Sequence, residues 1–257
     1  MNWLKWITAA ALAGTSGLAF AAACTATSPA HRIALVELYT SEGCSSCPPA
    51  DAWLRRLPDS GYGSDRIVPL ALHVDYWDYI GWKDPFASPR YSERQRVYSA
   101  IGNSRFVYTP QVILDGRDYR GWGSSGSFER SVSAANAKPA GATITVSLDE
   151  QSPGMTQVRV GAELAKGAGR GNAALYVATY ENGLSTHVKA GENRGETLAH
   201  DFVVRQWFGP ISFDGDGRAT LDERISHSGR GGVAAFVQTR STGDVLQAIS
   251  LAHCKAG

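Results

Sequence analysis

Hydrophobic and polar positions alternate along this chain in two different rhythms. Residues 33–38 are apolar except for Glu37, as expected of a strand covered on both faces. Thr40-Ser41-Glu42-Gly43 breaks that run, and residues 50–57 restore a helical spacing with Trp53, Leu54 and Leu57 on the apolar side. A second apolar strand over 66–74 ends in His73-Val74-Asp75, and Pro89–Ile101 reads as a helix with Tyr91, Val97, Tyr98 and Ile101 as its apolar points. Residues 106–114 predict a third strand, Asp115-Gly116-Arg117 a hairpin turn, and 118–122 the returning strand. A closing helix follows over 127–138, with Ser127 as its N-cap. Right-handed crossovers make the first strands parallel, with the hairpin antiparallel at the end.

The rhythm changes near Lys138-Pro139-Ala140-Gly141. Beyond it, residues 143–148, 156–164, 173–180, 199–208, 211–221, 232–239 and 245–252 read as short strands separated by Gly, Asn, Asp and Ser, with no good helix between them. That pattern predicts an antiparallel β-sandwich. The expected organisation is therefore a leader over 1–23, an α/β domain over 30–139 and an all-β sandwich-like domain over 140–257.

The leader carries one positive charge, Lys5, then an Ala- and Leu-rich run and small residues at Ala19-Phe20-Ala21 or Ala21-Ala22-Ala23. This is the plan of a secretory signal peptide, and residues 6–23 are nearly long enough to be a membrane anchor instead. The Thr, Gly and Ser residues inside the run favour cleavage, which leaves no stable membrane span in the mature form and predicts a periplasmic or secreted protein. The formal net charge is +1 with the signs interleaved, so no nucleic-acid or anionic-membrane partner is expected.

Export bears on the four cysteines, because disulfides persist outside the reducing cytosol. Cys24 and Cys254 sit at the two ends, which suits a disulfide between the termini, or lipidation of Cys24. Cys44 and Cys47 form a Cys-x-x-Cys at the start of a helix. The dipole and unpaired N–H groups of a first turn favour a thiolate there, which makes Cys44 the exposed nucleophile and Cys47 the resolving thiol. Pro48 and Pro49 suit first-turn positions, where a missing N–H costs little.

The order of strand, Cys-x-x-Cys helix, strand, helix, strand, hairpin and helix is the thioredoxin-like one. Thr109-Pro110 supports it, with a proline at the mouth of an apolar strand. In thioredoxin-like proteins a proline at this point carries a cis peptide bond facing the Cys-x-x-Cys, and a cis Pro110 leaves the Thr109 backbone free to pair with a substrate as an added strand. The run from Val36 through Cys44-Ser45-Ser46-Cys47 to Asp51 resembles the signature of an uncharacterised family of secreted bacterial proteins with a thioredoxin-like fold. The segments from His73 to Phe86, Tyr108-Thr109-Pro110-Gln111, and Gly191-Glu192-Asn193-Arg194-Gly195 with His200 and Val203-Val204-Arg205 also match it. The resemblance implies a fold and a compartment, and no established reaction.

Other features each carry two readings. Glu37 is either a proton acceptor for Cys47, since a buried carboxylate has a raised pKa, or a structural acid paired with Arg or Lys. Residues 76–86 hold five aromatics, so Trp77 and Trp82 are placed as a substrate platform beside Cys44 or as a plug over the sheet. His73 with the two thiolates would offer three soft ligands, but none has helical ligand spacing, so no metal site is assigned. The loop over 182–200, with His187 and His200, is either functional or packs against the first domain. These readings converge on a thiol–disulfide oxidoreductase-like protein with no cofactor, acting on a protein or small-molecule thiol or disulfide, with the β-sandwich choosing the partner. The alternatives are a thiolate module for Cu(I) and a scaffold with a structural disulfide.

Overall fold

The computed structural model describes residues 23–254 except Ala168 and Arg170. The leader expected over 1–23 falls, but for Ala23, outside the described residues. Among those residues no helix is long and apolar enough to cross a membrane.

The fold is β-rich and is organised by an eight-stranded sheet. In the first half of the chain lie β2 (Ala34–Thr40), β3 (Ile67–His73), β4 (Gln111–Leu114) and β5 (Arg117–Asp118), with helices α1 (Pro48–Arg56), α2 (Pro89–Ile101) and α3 (Ser125–Asn136) between and after them. From the second half come β8 (Ala173–Glu181), β11 (Val203–Ser212), β13 (Gly231–Thr239) and β14 (Val245–Ala252). The order across the sheet is β14-β13-β8-β11-β3-β2-β4-β5. It therefore runs without interruption through the boundary expected near residue 140. The junction is a short parallel contact, Val203 opposite Ala71, where the Ala71 N–H donates to Phe202 O at 2.8 Å. The two halves join there because every residue of β3 is buried, so its free edge needs a ladder partner rather than water.

Antiparallel strands β1 (Ala23–Thr27), β6 (Ala142–Ser152), β7 (Met155–Leu164) and β12 (Arg218–Ser226) make a second sheet, ordered β1-β6-β7-β12. Their alternating inward residues, among them Ile144, Val146, Val158 and Val160, pack against Leu175, Val177, Ala235 and Val237 of the large sheet. Helices α1 and α3 cover the same face of the large sheet at its other end, where Ala50, Leu54, Phe128 and Val132 meet Val36, Leu38 and Ala71. The opposite face, with Leu35, Tyr39, Leu70, Leu72, Tyr176 and Phe236, is closed by Tyr91 and Tyr98 of α2. That sheet curls until β14 reaches the start of β2, where Ile33 N–H donates to Gln247 Oε1 at 2.9 Å. A disulfide joins Cys24 on β1 to Cys254 just beyond β14.

Pro89–Ile101 forms as the spacing predicts, but its buried residues are Tyr91, Ser92, Gln95 and Tyr98, and Val97 faces out. The strand expected over 106–114 begins only at Gln111, since Phe106 is exposed and Pro110 has no N–H for a ladder. The run over 199–208 divides into β10 (Thr197–His200) and β11, with Phe202 at a positive φ of 59° between them. β10 pairs with β9 (Leu184–His187), a strand the pattern did not predict. The expected strand over 211–221 is instead the end of β11 and the start of β12.

Candidate functional site

Side chains alternate across β2, and that parity decides what surrounds the cysteines. Val36, Leu38 and Thr40 point to the α1 side, whereas Leu35, Glu37 and Tyr39 point to the α2 side. Glu37 is fully buried there and accepts from Arg94 Nε at 2.6 Å and Nη2 at 3.1 Å, and from the hydroxyls of Tyr98 and, at 3.3 Å, Tyr39. Arg94 lies 4.7 to 5.1 Å from the ring centres of Trp207, Tyr98, Tyr176 and Phe236. The proton-acceptor role considered for Glu37 does not fit this placement: it is a structural acid on the opposite face of the sheet from α1. A buried carboxylate on the cysteine side is Asp51, one helical turn beyond Cys47 and held by Thr40 Oγ1 at 3.0 Å.

Cys44 and Cys47 are disulfide-bonded in the turn that joins β2 to α1. Cys47 is the N-cap of α1, and its carbonyl takes the N–H groups of Ala50 and Asp51. Since Pro48 and Pro49 have none, the first turn offers a sulfur no free backbone donor of the kind the sequence led us to expect. The hydroxyl of Ser46, 3.3 Å from Cys44 Sγ, stands near instead.

Cys44 is only 1% exposed and Cys47 is fully buried. This corrects the expectation of an exposed nucleophile, and the reason is a cover made of two pieces. One is the aromatic segment, whose first part is a 3₁₀ turn over Asp75–Ile80. A Cβ on Gly43 would lie 3.2 Å from both Trp77 Cβ and Ile80 Cδ1, so this segment presses on the backbone beside Cys44. Trp77 then reaches across to donate its Nε1–H to Thr109 Oγ1 at 2.7 Å. The second piece is the loop after β9. Asn193 Nδ2 donates to the carbonyls of Glu42 and Cys44 at 2.8 and 3.0 Å, and Glu192 accepts the Ser45 N–H at 2.9 Å, which holds its carboxyl below the usual range. Gly191 adopts a φ of 75° and packs against Ile80 and Trp82, so the two pieces also touch each other.

Thr109 and Pro110 lie beside this turn, because Gln111 opposes Tyr39 in the antiparallel pairing of β4 with β2. The Thr109–Pro110 peptide is cis. Trp77, Thr109 and the Cys44 turn are thus brought together, while Trp82 is drawn inward to donate to Glu42 Oε2 at 2.8 Å.

Behind the disulfide lies a buried polar cluster assembled from four parts of the chain. His73 Nδ1 is 2.7 Å from Asp84 Oδ2, which also accepts the Glu42 N–H at 2.9 Å. His200 Nε2 is 3.1 Å from Glu42 Oε1. The two imidazoles meet edge to face with centres 5.0 Å apart, and Phe86 packs on both. Burial pushes His73 down, but the Asp84, Asp51 and Glu42 carboxylates outweigh it and hold its pKa above the ordinary value. Burial would likewise raise Asp84, yet His73 and the backbone N–H groups of Glu42 and Phe86 keep it below the usual range. Asp51 is raised by burial in spite of the two histidines. Sequence reasoning named His73 and His200 but gave no roles to Glu42, Asp51, Asp84, Glu192 or Asn193. Their proximity arises from the β9–β10 ribbon docking on α1, where Arg55 donates to Ala199 O at 3.2 Å. Only the signal at Asp51, one turn after the second cysteine, was local.

The profile of a family described as "Protein of unknown function (DUF1223)" matches residues 35–238. No curated protein matches the chain. Among solved structures, the X-ray structure of protein AGR_C_4864 from Agrobacterium tumefaciens is similar at 30% identity and a TM-score of 0.62, covering 87% of this chain and 96% of that one. HBP35 of Porphyromonas gingivalis shares the fold at 13% identity and a TM-score of 0.64, with 88% of this chain and 76% of that one covered.

Proposed function

The chain belongs to this DUF1223 family, and we propose that it is a thioredoxin-like thiol–disulfide oxidoreductase with Cys44 and Cys47 as its exchanging pair. The observation that carries the reading is the Cys44–Cys47 disulfide in a strand-to-helix turn beside the cis Thr109–Pro110 peptide. The thioredoxin-like assignment is supported by the order β3-β2-β4-β5, with β3 parallel and β4 antiparallel to β2.

In the reduced protein the Cys44 thiolate attacks one sulfur of a substrate disulfide. A Cys44–substrate mixed disulfide forms and the first substrate thiolate leaves. Cys47 thiolate then attacks Cys44 Sγ, releasing the second substrate thiolate and leaving the Cys44–Cys47 disulfide, so two electrons pass to the substrate. The oxidised protein runs the same steps backwards with a dithiol. Ser46 Oγ–H is placed to donate to the Cys44 thiolate, and a substrate backbone would pair at Thr109 once Trp77 swings away. Work outside the cytosol is supported by the second disulfide, Cys24–Cys254, and by the leader-like pattern over 1–23.

The test is Cys47→Ser, which removes the resolving thiol. It is expected to accumulate mixed disulfides with a model disulfide substrate, one substrate thiolate leaving, that the wild type and Cys44→Ser do not. Equal trapping in Cys44→Ser would refute the assignment of roles. The burial of both sulfurs favours a second reading, a structural disulfide in a scaffold, which predicts no trapped species at all.

A further inference from the structure

We propose that Asp51, His73 and His200 form a binding site for a divalent transition-metal ion, with Zn2+ the ion their two-nitrogen, one-oxygen donor set suits. One donor atom from each residue lies within 4.8 Å of the others. A tetrahedral zinc ion holds such donors about 3.3 Å apart, so side-chain rotations of about 1 Å close the site.

Three independent features point the same way. The first is the state of the ring nitrogens. His73 is fully buried and His200 is 3% exposed, yet among the described residues neither His73 Nε2 nor His200 Nδ1 has a hydrogen-bond partner. A buried ring nitrogen left without a partner is destabilising, and two in one cluster call for a common ligand. The second is what the other nitrogens do. His73 Nδ1 pairs with Asp84 and His200 Nε2 with Glu42, both buried carboxylates. An imidazole that ligates a metal characteristically gives its remaining N–H to such a carboxylate, which fixes the tautomer and turns the free nitrogen toward the ion. Asp51 is oriented in the same manner by the Thr40 hydroxyl. The third is access: a cleft of about 220 Å3 between α1 and β10 is lined by Pro48, Asp51, Arg55, Leu198 and His200. An ion can reach the cluster there without passing the disulfide.

This site is distinct from thiolate ligation and does not depend on the redox reading. The probe is Zn2+ alone, added to chelator-treated protein with both disulfides intact, with the bound metal measured by elemental analysis and competition against a chromophoric chelator. Co2+ then reports the ligand field by its visible absorption. The expected result is one equivalent of Zn2+, a raised melting temperature in its presence, and Co2+ bands of a low-coordinate N/O site without a thiolate charge-transfer band. Asp51→Asn, which keeps the volume and a partner for Thr40, and His200→Gln are each expected to weaken binding about tenfold or more, with the far-UV circular dichroism unchanged. The Cys44→Ser/Cys47→Ser double variant is expected to bind as the wild type does. Absence of stoichiometric Zn2+ in the wild type would overturn the proposal. So would binding that survives Asp51→Asn and His200→Gln unchanged, and so would its loss in the cysteine double variant.

Discussion

Glu37→Gln separates structural from catalytic meaning for the acid that precedes the cysteines. In the folded protein Glu37 is fully buried, and the Arg94 side chain that it pairs with is only 10% exposed. Gln is nearly isosteric and still offers one acceptor to Arg94 Nε, but it leaves the guanidinium without a counter-charge. Breaking a buried pair from one side costs about 3–5 kcal/mol. The four rings around Arg94 remain and each offers a favourable face to the cation, so the lower end, about 3 kcal/mol, is expected. At about 2–4 °C per kcal/mol for a protein of this size, the melting temperature should fall by about 6–12 °C. The assay is thermal and urea unfolding with both disulfides intact, alongside the reduction potential of the Cys44–Cys47 pair. Because Glu37 faces away from α1, that potential should not move. A stability loss below about 1 kcal/mol, or a potential shifted by more than about 30 mV, which is about 1.4 kcal/mol for this two-electron couple, would refute the reasoning.

Other consequences follow from particular contacts. Burial raises Asp115 to about 6 although it accepts the Leu35 N–H, so the folded state binds more protons than the unfolded state between about pH 4 and 6. Stability therefore falls as pH rises through that window. Asp115→Asn, which keeps the bond and tolerates the φ of 48°, should gain about 1 kcal/mol at pH 7 after allowance for partial exposure, and nothing at pH 4; melting at the two pH values checks this. The Cys24–Cys254 disulfide closes a loop with a sequence separation of 230, and Cys24→Ser/Cys254→Ser should cost about 2–5 kcal/mol in urea unfolding. Asn193→Ala removes two hydrogen bonds from the cover over Cys44, each worth about 1 kcal/mol, so reduction of the Cys44–Cys47 disulfide by dithiothreitol should quicken by up to about thirtyfold; an unchanged rate would mean that this loop does not gate the pair.

Local chemistry made much of this molecule legible. The strand before the cysteines, the α1 and α2 helices and the Asp115-Gly116 turn all follow from periodicity and from residues that tolerate positive φ. The division at residue 140 did not hold as a structural seam, because a change of rhythm records how each segment folds and not which strands pair. β3 looks complete in the sequence, yet its free edge is satisfied by a strand more than a hundred residues later. The cysteine pair was found from its spacing, but its burial was not, since the cover depends on Asn193 and Glu192 reaching back across the chain. For the same reason His200 read as an ordinary histidine. Its meaning comes from Glu42 on one nitrogen and from Asp51 and His73 close to its ring.

Equilibration with glutathione gives the reduction potential of the Cys44–Cys47 pair and separates an exchanging disulfide from a structural one. An exchanging pair predicts a value above about −300 mV, in the range of working dithiol oxidoreductases. A value below that, with the pair still oxidised after prolonged incubation in reduced glutathione, would contradict the account and make the disulfide a structural staple.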